Sequence, residues 1–500
     1  MFPGSPIARP HDQLLNSPPK GTPQSTPLHS ASASPQHPIK FPSAYSFPFC
    51  NRPALVLSLL ALQLILLLSA RLLPAPRLPR PNLHRFGYGS CSSSGYIYVY
   101  DLPPVFNSDI LAECHHLNPW HSRCAALSNS GFGPRADDLA GVVPSTLLPS
   151  WYSTDQFTAE VIFHRRILGH RCRTTDPSVA TAFYVPFYAG LAIAKHLWSP
   201  GSSSQDRDND GALLLRWIKD QLPWQRSGGW DHFIVLGRIT WDFRRSREGD
   251  WGGSFLYMPG MENVTRLLIE RNPWDSKDVG IPYPTRFHPR TAGDVREWQR
   301  FVLSRNRSTL FGFAGALRAA IKDDFRGLLM RECTRAGSGQ CRHVDCGSGR
   351  CGNRSAETMG LFLDSVFCLQ PRGDSFTRRS MFDCMLAGAV PVLFWRRSAY
   401  VQYGWYLPPE GEWSVFIDRR EVRSGAARVR EVLEGIGEER ARRMRERVVE
   451  MIPRLVYAAA EEGLGDGMQD AFDVAVDGVL RGFREQRRCR RLGREEDGGV

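Results

Sequence analysis

Residues 366–394 combine the side-chain types and spacing best suited to chemistry in this sequence. The pattern predicts a strand over 366–371, a Gly-containing loop over 372–374 and a helix over 375–387 that ends at Gly388. The N-terminus of a helix offers free backbone N–H groups and the positive end of the helix dipole. We therefore expect a diphosphate to dock at this loop.

Two arginines at the start of this helix strengthen the expectation. Arg378 and Arg379 stand in its predicted first turn, where a positive side chain opposes the helix dipole unless an external anion compensates it. Ser375 is the predicted N-cap. Asp383 lies one turn beyond Arg379, and it either pairs with that arginine or accepts hydrogen bonds from ribose hydroxyls.

The end of a second predicted strand offers a weaker candidate contact for the same diphosphate. Gly315 closes a predicted strand over 310–315, and Arg318 follows it before a predicted helix over 319–333. A lone Gly-x-x-Arg is a weak signal by itself. We include both residues in the candidate site as a second anion contact from a neighbouring crossover.

The elements around these residues alternate between strands and helices, which predicts doubly wound α/β domains with ligands at the carboxyl ends of the strands. Further strands are predicted at 95–104, 180–191, 231–237 and 389–394. Further helices are predicted at 155–168, after a capping box STDQ at 153–156, and at 438–457 and 465–484.

The two ends of the chain differ from this folded region in composition. Residues 1–50 are rich in Pro, Ser and Gln, which predicts a disordered tail. The apolar run 54–73 is long enough to span a thin bilayer, and its distance from the N-terminus favours an uncleaved anchor over a signal peptide. We expect a stem over 74–94 and a loose charged tail over 486–500.

Three glycosylation sequons set the expected orientation of this anchor. Asn263, Asn306 and Asn353 each begin an Asn-x-Ser/Thr triplet, and all three follow the apolar run. Glycan acceptors are useful only in the secretory lumen. We therefore expect a cytoplasmic N-terminus and a luminal folded region.

Eleven of the twelve cysteines also follow the apolar run, which favours disulfides. A zinc site is the weaker alternative, because no CxxC pair occurs in the cluster Cys333, Cys341, His343, Cys346 and Cys351. We expect Cys50 to be a cytoplasmic thiol and Cys489 to be an unpaired luminal thiol. We expect Cys368 and Cys384 to be buried thiols.

Bulk charge and the acidic segment 202–211 each suggest a function that the residues do not support. The net charge of +12 comes almost wholly from arginine, without a basic-aromatic nucleic-acid motif, so we exclude nucleic-acid binding. The segment 206–211 resembles the opening of a calcium loop and holds two Asp-x-Asp pairs, but Trp217 stands where calcium requires Glu. We expect a solvated loop there and no metal site.

Ordered motifs along 95–484 identify a family. The chain resembles the plant exostosin-like glycosyltransferases, in particular their xyloglucan galactosyltransferase branch. The motifs that carry the resemblance are YVYDLP at 98–103, WYSTDQF at 151–157, AFYVPFYAG at 182–190, DHF at 231–233, GRITWDF at 237–243, GIPYP at 280–284 and CLQPRGDSFTRRS at 368–380 with its continuation to 391.

The resemblance implies a GT-B fold of two facing Rossmann-like domains, here 95–305 on the acceptor side and 306–485 on the nucleotide-sugar side. It implies an inverting transfer from a UDP-sugar, expected to be UDP-galactose, to xylose on xyloglucan in the Golgi membrane, without a metal or other cofactor. We also expect complexes with other Golgi glycosyltransferases. The family's donor motif places Arg318, Ser375, Arg379 and Asp383 on UDP, although related enzymes often have Glu where this chain has Asp383.

An inverting transfer also needs a base for the acceptor hydroxyl. Asp242, His232 and Glu160 are the candidates, because each lies near a strand end or helix of the acceptor-side domain. The sequence does not choose among them. It also leaves open transfer of galacturonic acid or a pentose, and a non-catalytic subunit of a polysaccharide synthase complex, whereas no hydrolase motif is present.

Overall fold

The computed structural model describes residues 91–318, 321–347, 351 and 355–497. The expected tail, membrane anchor, Cys50, most of the stem and the sequon at Asn353 lie outside these residues. Within them, no helix combines the length and the hydrophobicity that crossing a bilayer requires.

Two parallel sheets organise the chain, as the alternation of strands and helices predicts. The first sheet has the order β2-β1-β3-β4-β5-β6 and the second the order β11-β10-β9-β7-β8, and every strand pair is parallel. The strands are β1 Tyr96–Val99, β2 Arg173–Thr174, β3 Ala180–Val185, β4 His232–Ile239, β5 Thr265–Glu270, β6 Asp278–Gly280, β7 Thr309–Gly315, β8 Cys341–Asp345, β9 Ser365–Gln370, β10 Val390–Leu393 and β11 Val415–Phe416.

Helices cover both faces of each sheet. Phe183 and Tyr184 are neighbours on β3 but belong to different hydrophobic clusters, and the same holds for Phe367 and Cys368 on β9. The helices are α1 Cys91–Ser94, α2 Ser108–Ala112, α3 Cys124–Gly131, α4 Ala159–Leu168, α5 Ala189–Leu197, α6 Ser204–Lys219, α7 Leu222–Ser227, α8 Ala292–Ser304, α9 Phe325–Ala336, α10 Ser355–Asp364, α11 Arg379–Leu386, α12 Tyr400–Tyr403, α13 Arg419–Ser424, α14 Val429–Glu434, α15 Glu438–Glu450 and α16 Ala471–Asp497.

The last helix returns to the first sheet, which corrects the expected boundaries. Arg487 of α16 donates to the carbonyl oxygens of Ala180 and Thr181 on β3, both at 3.1 Å. Phe472 of the same helix packs on Phe163 of α4 with ring centroids 5.2 Å apart, so α16 packs on the first lobe, whereas the expected boundary placed residues 471–485 in the second. The tail expected to be loose from residue 486 is helical through Asp497, because α16 continues past the predicted end at residue 484.

Hydrogen bonds from aromatic side chains join the two lobes. The Trp298 indole of α8 donates to the carbonyl of Leu386 at 2.9 Å, and the Tyr403 hydroxyl of α12 donates to the carbonyl of Ile269 at 2.7 Å. Trp405 likewise donates to the carbonyl of Gly280 at 2.7 Å. These buried polar contacts fix the lobes against each other at the edge of the first sheet.

Four further predicted boundaries differ from the structure. The helix expected from residue 155 begins at Ala159 without a side-chain cap, because Asp155 pairs with Arg123 at 2.8 Å. The strand expected through residue 191 ends at Val185, before Pro186, and Ala189–Leu197 is helical. The helix expected from residue 319 begins at Phe325, and the one expected to reach residue 457 ends at Glu450.

The acidic segment predicted as a solvated loop is the first half of α6. Ser203 and Asp206 form a capping box, so the local sequence starts a helix despite its glycine and aspartates. Asp208 forms an ion pair with Arg245 and accepts a hydrogen bond from the backbone N–H of Ser254 at 2.6 Å. The Asp-x-Asp residues thus serve helix capping and packing.

Five disulfides confirm the preference for disulfides over zinc. They are Cys91–Cys172, Cys114–Cys124, Cys333–Cys341, Cys346–Cys351 and Cys368–Cys384. The prediction that Cys368 and Cys384 are thiols is wrong, because β9 and α11 bring these two buried side chains together. Among the described cysteines Cys489 alone is free, as predicted.

We predict that Gly280→Ala destabilises the contact between the lobes. A Cβ atom on Gly280 would collide with the backbone oxygen of Gln402 on α12, which cannot move without displacing that helix. We expect a loss of about 1–3 kcal/mol in the free energy of unfolding, measured by urea denaturation. The matched control is Gly360→Ala in α10, where nothing lies within 4 Å and the helix gains up to about 1 kcal/mol. Equal stability of the two variants would contradict the assigned packing.

Candidate functional site

A cavity of about 500 Å³ lies between the lobes, at the carboxyl ends of strands from both sheets. Segments that follow β4, β5 and β9 supply much of its lining. This is the position at which doubly wound sheets bind ligands. The residues predicted from the loop after β9 that line it are Ser375, Arg378, Arg379 and Asp383.

Glu270, the last residue of β5, holds the loop after β9 in place. Its carboxylate accepts hydrogen bonds from the Ser375 hydroxyl, and from the Thr377 backbone N–H at 2.7 Å and hydroxyl at 2.6 Å. The Trp241 indole donates to it at 3.2 Å. Burial raises the pKa of Glu270, and the hydrogen bonds from Ser375 and Thr377 oppose that rise. The side chain is a buried polar anchor between the two sheets.

This anchor changes the start of the following helix. Helix α11 begins at Arg379, so Ser375 is not its N-cap, and Arg378 occupies the cap position without a side-chain cap. The prediction of Ser375 as the N-cap is wrong, because its hydroxyl bonds to Glu270 instead. Arg379 is in the first turn, as predicted.

The two arginines are half-buried, with guanidinium atoms enclosed, and backbone carbonyls fix them. Arg378 donates to the carbonyl of Ala314 at 2.8 Å, and Arg379 donates to the carbonyl of Thr154 at 2.5 Å. Arg379 also approaches Asp383, with 3.3 Å between Nε and Oδ2. Burial, with a smaller contribution from neighbouring arginines, lowers the pKa of Arg378 to about 9. The guanidinium thus lacks adequate compensation by negative charge.

Sequence analysis missed two further arginines in the cavity lining. Arg326 stands in the first turn of α9, and its guanidinium contacts the carbonyl of Arg372 at 3.3 Å. Burial lowers its pKa to about 10, as it does for Arg286, to which Arg379 adds repulsion. Arg326 falls in the middle of the helix predicted over 319–333, so the first-turn criterion applied at Arg378 and Arg379 missed it, whereas the observed helix begins at Phe325. Arg286 follows no helical or strand pattern, so no signal marked it.

Several polar atoms at this cavity are buried without a hydrogen-bond partner among the described residues. They are Arg378 Nη1, Arg379 Nη2, Ser380 Oγ and Asp383 Oδ1. Leaving one such atom unsatisfied costs about 1–3 kcal/mol. Two guanidinium donors, a hydroxyl and a carboxylate acceptor together fit a ligand that has both an anionic group and hydroxyls.

Gly315 and Arg318 do not line the cavity. Gly315 ends β7, and its neighbour Ala314 faces the cavity instead. Arg318 donates to the carbonyl of Gly373 and pairs with Asp374 at 3.1 Å. It therefore fixes the loop from its outer side, and any effect it has on a ligand acts through that loop.

Asp242 is the only one of the three base candidates that lines the cavity. It lies on the short 3-10 helix Thr240–Phe243 that follows β4. Its carboxylate accepts hydrogen bonds from Arg238 Nε at 2.6 Å and from the Trp251 indole at 2.7 Å. Its position is therefore fixed, and each of its oxygens retains a second lone pair that can accept a proton.

His232 lies at the opposite end of β4, away from the cavity. It is the first residue of that strand, and it is fully buried between the Tyr100 hydroxyl and the Asp231 carboxylate, each at 2.8 Å. Burial lowers its pKa, and Asp231 opposes that shift. The arrangement stabilises the amino edge of the first sheet.

Glu160 also lies outside the cavity lining, at the start of α4. It accepts hydrogen bonds from the backbone N–H groups of Gly190 at 2.6 Å, Gly237 at 3.0 Å and Leu191 at 3.3 Å. A Cβ atom at either glycine would collide with its surroundings. Glu160 therefore joins the ends of β3 and β4, and positions the backbone next to Arg238.

Two of the three sequons fall on described residues. Asn306 is exposed between α8 and β7. Asn263 is half-buried, and its amide donates to the carbonyl of Gly228 at 3.0 Å. Asn306 is therefore the more accessible acceptor of the two.

Comparisons with known proteins agree with the motifs. The Exostosin GT47 domain matches residues 91–433. Xyloglucan galactosyltransferase XLT2 of Arabidopsis thaliana is 59% identical over 394 residues, which are 79% of this chain and 76% of that protein. Xyloglucan galactosyltransferase MUR3 of the same plant is 42% identical, over 77% of this chain and 62% of that protein. Xyloglucan-specific galacturonosyltransferase 1, also from that plant, is 40% identical over 79% of this chain and 58% of that protein.

Solved structures align far less closely. A glycosyltransferase from Rickettsia africae ESF-5 covers 65% of this chain and 92% of its own, with 10% identity and a TM-score of 0.31. That score supports no argument about function.

We predict that Glu160 makes stability fall as pH rises. Burial raises its pKa from 4.5 to about 7, so between these values the folded protein retains a proton that the unfolded chain releases. The free energy of unfolding should therefore fall by up to about 1.4 kcal/mol per pH unit in this window. Glu160→Gln should reduce the slope by this contribution in urea unfolding from pH 4 to pH 8, and Glu270 and Asp473, whose pKa values burial also raises, supply a remainder; Glu462→Gln, at an exposed carboxylate, should leave the slope unchanged. An unchanged slope in Glu160→Gln would refute the assignment.

Proposed function

The chain belongs to the exostosin GT47 family, and from this premise we propose that it transfers galactose from UDP-galactose to xylose side chains of xyloglucan, with inversion. The names of its relatives XLT2 and MUR3 support the sugar and the acceptor. The observation that carries the proposal is the buried cluster of Arg326, Arg378 and Arg379 at the cavity between the sheets. We propose that the two facing sheets are the two halves of a GT-B fold.

The arginine cluster suits the diphosphate of the donor. Arg378 and Arg379 each retain an unsatisfied donor atom, and Arg326 adds a third positive charge from a separate helix. An anion placed among them would offset the free-energy cost of burying neighbouring positive charges. Asp383, with one unsatisfied oxygen, would accept from ribose hydroxyls.

In the proposed transfer, Asp242 lies on the acceptor side of the cavity and the arginines lie on the donor side. The acceptor hydroxyl oxygen forms a bond to the anomeric carbon, while the bond from that carbon to the diphosphate oxygen breaks on the opposite face. Asp242 receives the hydroxyl proton. The arginines stabilise the negative charge that develops on the leaving UDP. Arg238 positions Asp242 through their hydrogen bond at 2.6 Å.

The same charges support a mechanism without a metal ion. In such a mechanism guanidinium groups neutralise the diphosphate, a role that a divalent cation would otherwise fill. The Asp-x-Asp residues near Asp208 already serve helix α6, so they would not supply ligands. We propose metal-independent transfer.

We further propose a Golgi enzyme with a single membrane anchor at 54–73, a cytoplasmic N-terminus and a luminal catalytic region. The length of the apolar run supports the anchor, and the sequons that follow it support the orientation. The five disulfides suit the oxidising lumen.

The decisive assay compares UDP-galactose, UDP-galacturonic acid and a UDP-pentose on xylosylated glucan oligosaccharides, with and without EDTA. We expect galactose transfer that is undiminished by EDTA. Transfer of galacturonic acid instead would favour the activity named for one relative. Loss of activity in EDTA that manganese restores would contradict the metal-independent mechanism. No transfer from any donor would favour a non-catalytic subunit.

Replacing the arginines tests the donor site directly. Arg378→Ala and Arg379→Ala should each weaken UDP binding roughly ten- to a hundredfold, because a charge-assisted contact contributes about 1.5–3 kcal/mol. The matched control is Arg430→Ala, which removes an exposed arginine that pairs with Glu434 on α14. Binding is measured by calorimetry on variants with unchanged melting temperatures. Wild-type UDP affinity in well-folded Arg378→Ala and Arg379→Ala would refute the donor assignment.

A further inference from the structure

Three tryptophans contact one another in series from the cavity to the surface of the first lobe, with ring planes inclined at 61° between Trp251 and Trp198 and at 46° between Trp198 and Trp120. The ring centroids of Trp251 and Trp198 are 4.6 Å apart, and those of Trp198 and Trp120 are 5.6 Å apart. The inner member, Trp251, donates its indole N–H to Asp242 at 2.7 Å. We name this set, Trp120, Trp198 and Trp251, the tryptophan stack.

The outer member is held in position although it is exposed. Trp120 is 68% exposed, which is unusual for so large an apolar side chain. Its loop is closed by the disulfide Cys114–Cys124, and the Asn118 side chain accepts from the backbone N–H of Trp120 at 2.9 Å. The chain thus presents an apolar ring to solvent on a restrained loop, which is the arrangement of a preorganised binding surface.

Charged groups near the stack are neutralised by one another. Lys195, on the helix that precedes Trp198, pairs with Asp210 at 3.2 Å. Arg245 pairs with Asp208. A surface of contacting aromatic rings flanked by paired charges favours a neutral ligand with apolar faces over an anion. The pyranose rings of a β-linked glucan present such C–H faces, and tryptophan offers the largest ring for them to cover.

The stack also approaches the cavity from the side opposite the arginines. Trp198 and Trp251 line the cavity next to Asp242, whereas Arg326 and Arg378 line it from the second lobe. A polymer that lies along the stack would therefore bring its branches to the carboxylate that receives the proton.

We propose that the tryptophan stack binds the glucan backbone of the acceptor, outside the transfer cavity, and so directs a xylose branch toward Asp242. This inference rests on the proposed function, because it assigns that function's acceptor to a surface. The proposal predicts that long and short acceptors bind differently. A long oligosaccharide reaches Trp120, whereas an acceptor of one xylosylated unit occupies only the cavity.

The test compares Trp120→Ala with the wild-type full-length protein on a long and a one-unit xyloglucan oligosaccharide. We expect KM for the long acceptor to rise about three- to tenfold, as for loss of one aromatic contact, with kcat and KM for the one-unit acceptor unchanged. Trp120→Phe should restore most of the loss, because it keeps an aromatic ring. The control is Tyr257→Ala, at an aromatic residue that is 54% exposed and contacts Arg244 away from the cavity.

A donor-free measurement separates this inference from the proposed function. Calorimetry with long xyloglucan oligosaccharides and no UDP-sugar should show weaker binding to Trp120→Ala than to the wild type or Tyr257→Ala. That result supports the stack even if the wild type transfers no sugar, in which case the proposed function alone fails. Wild-type affinity and KM for long acceptors in a folded Trp120→Ala protein would overturn the inference.

Discussion

The buried carboxylate of Glu270 is the interaction on which the candidate site depends. A charge removed from water must have its hydrogen-bonding capacity filled, and here the donors come from Trp241 of its own lobe and from Ser375 and Thr377 of the other. This requirement determines the path of the loop after β9, and hence the residue at which α11 begins. Glu270 thereby sets the direction in which Arg378 and Arg379 enter the cavity.

Local sequence was sufficient for the parts of the site that are local in the chain. A strand, a glycine loop and a helix at the right spacing singled out Arg378, Arg379 and Asp383, and all three line the cavity. It failed for Ser375, because the partner of that side chain lies 105 residues away, and a tertiary bond there outcompetes the local tendency to cap a helix. Disulfides such as Cys368–Cys384 are hidden from sequence reasoning for the same reason, since the fold alone determines which cysteines meet.

The base candidates show a different limit. A polar residue beside a strand has the same local signature whether it faces a ligand or anchors backbone, so Glu160 and Asp242 were equivalent in the sequence. His232 could have been excluded as a base from the sequence. It precedes the apolar run of its predicted strand, whereas parallel sheets bind ligands at the carboxyl ends of their strands. The overall α/β architecture was predictable because nearly continuous apolar strands alternate with amphipathic helices.

The return of α16 to the first sheet has a consequence for biosynthesis. A chain is synthesised from its N-terminus, so strands β1–β6 emerge long before Ala471–Asp497 has been made. Until then, the surface of β3 that Arg487 later covers remains open to water and to other chains. The first lobe to be synthesised is therefore the last to be completed, and the part of β3 that α16 later covers is the natural place for a chaperone to hold the unfinished protein.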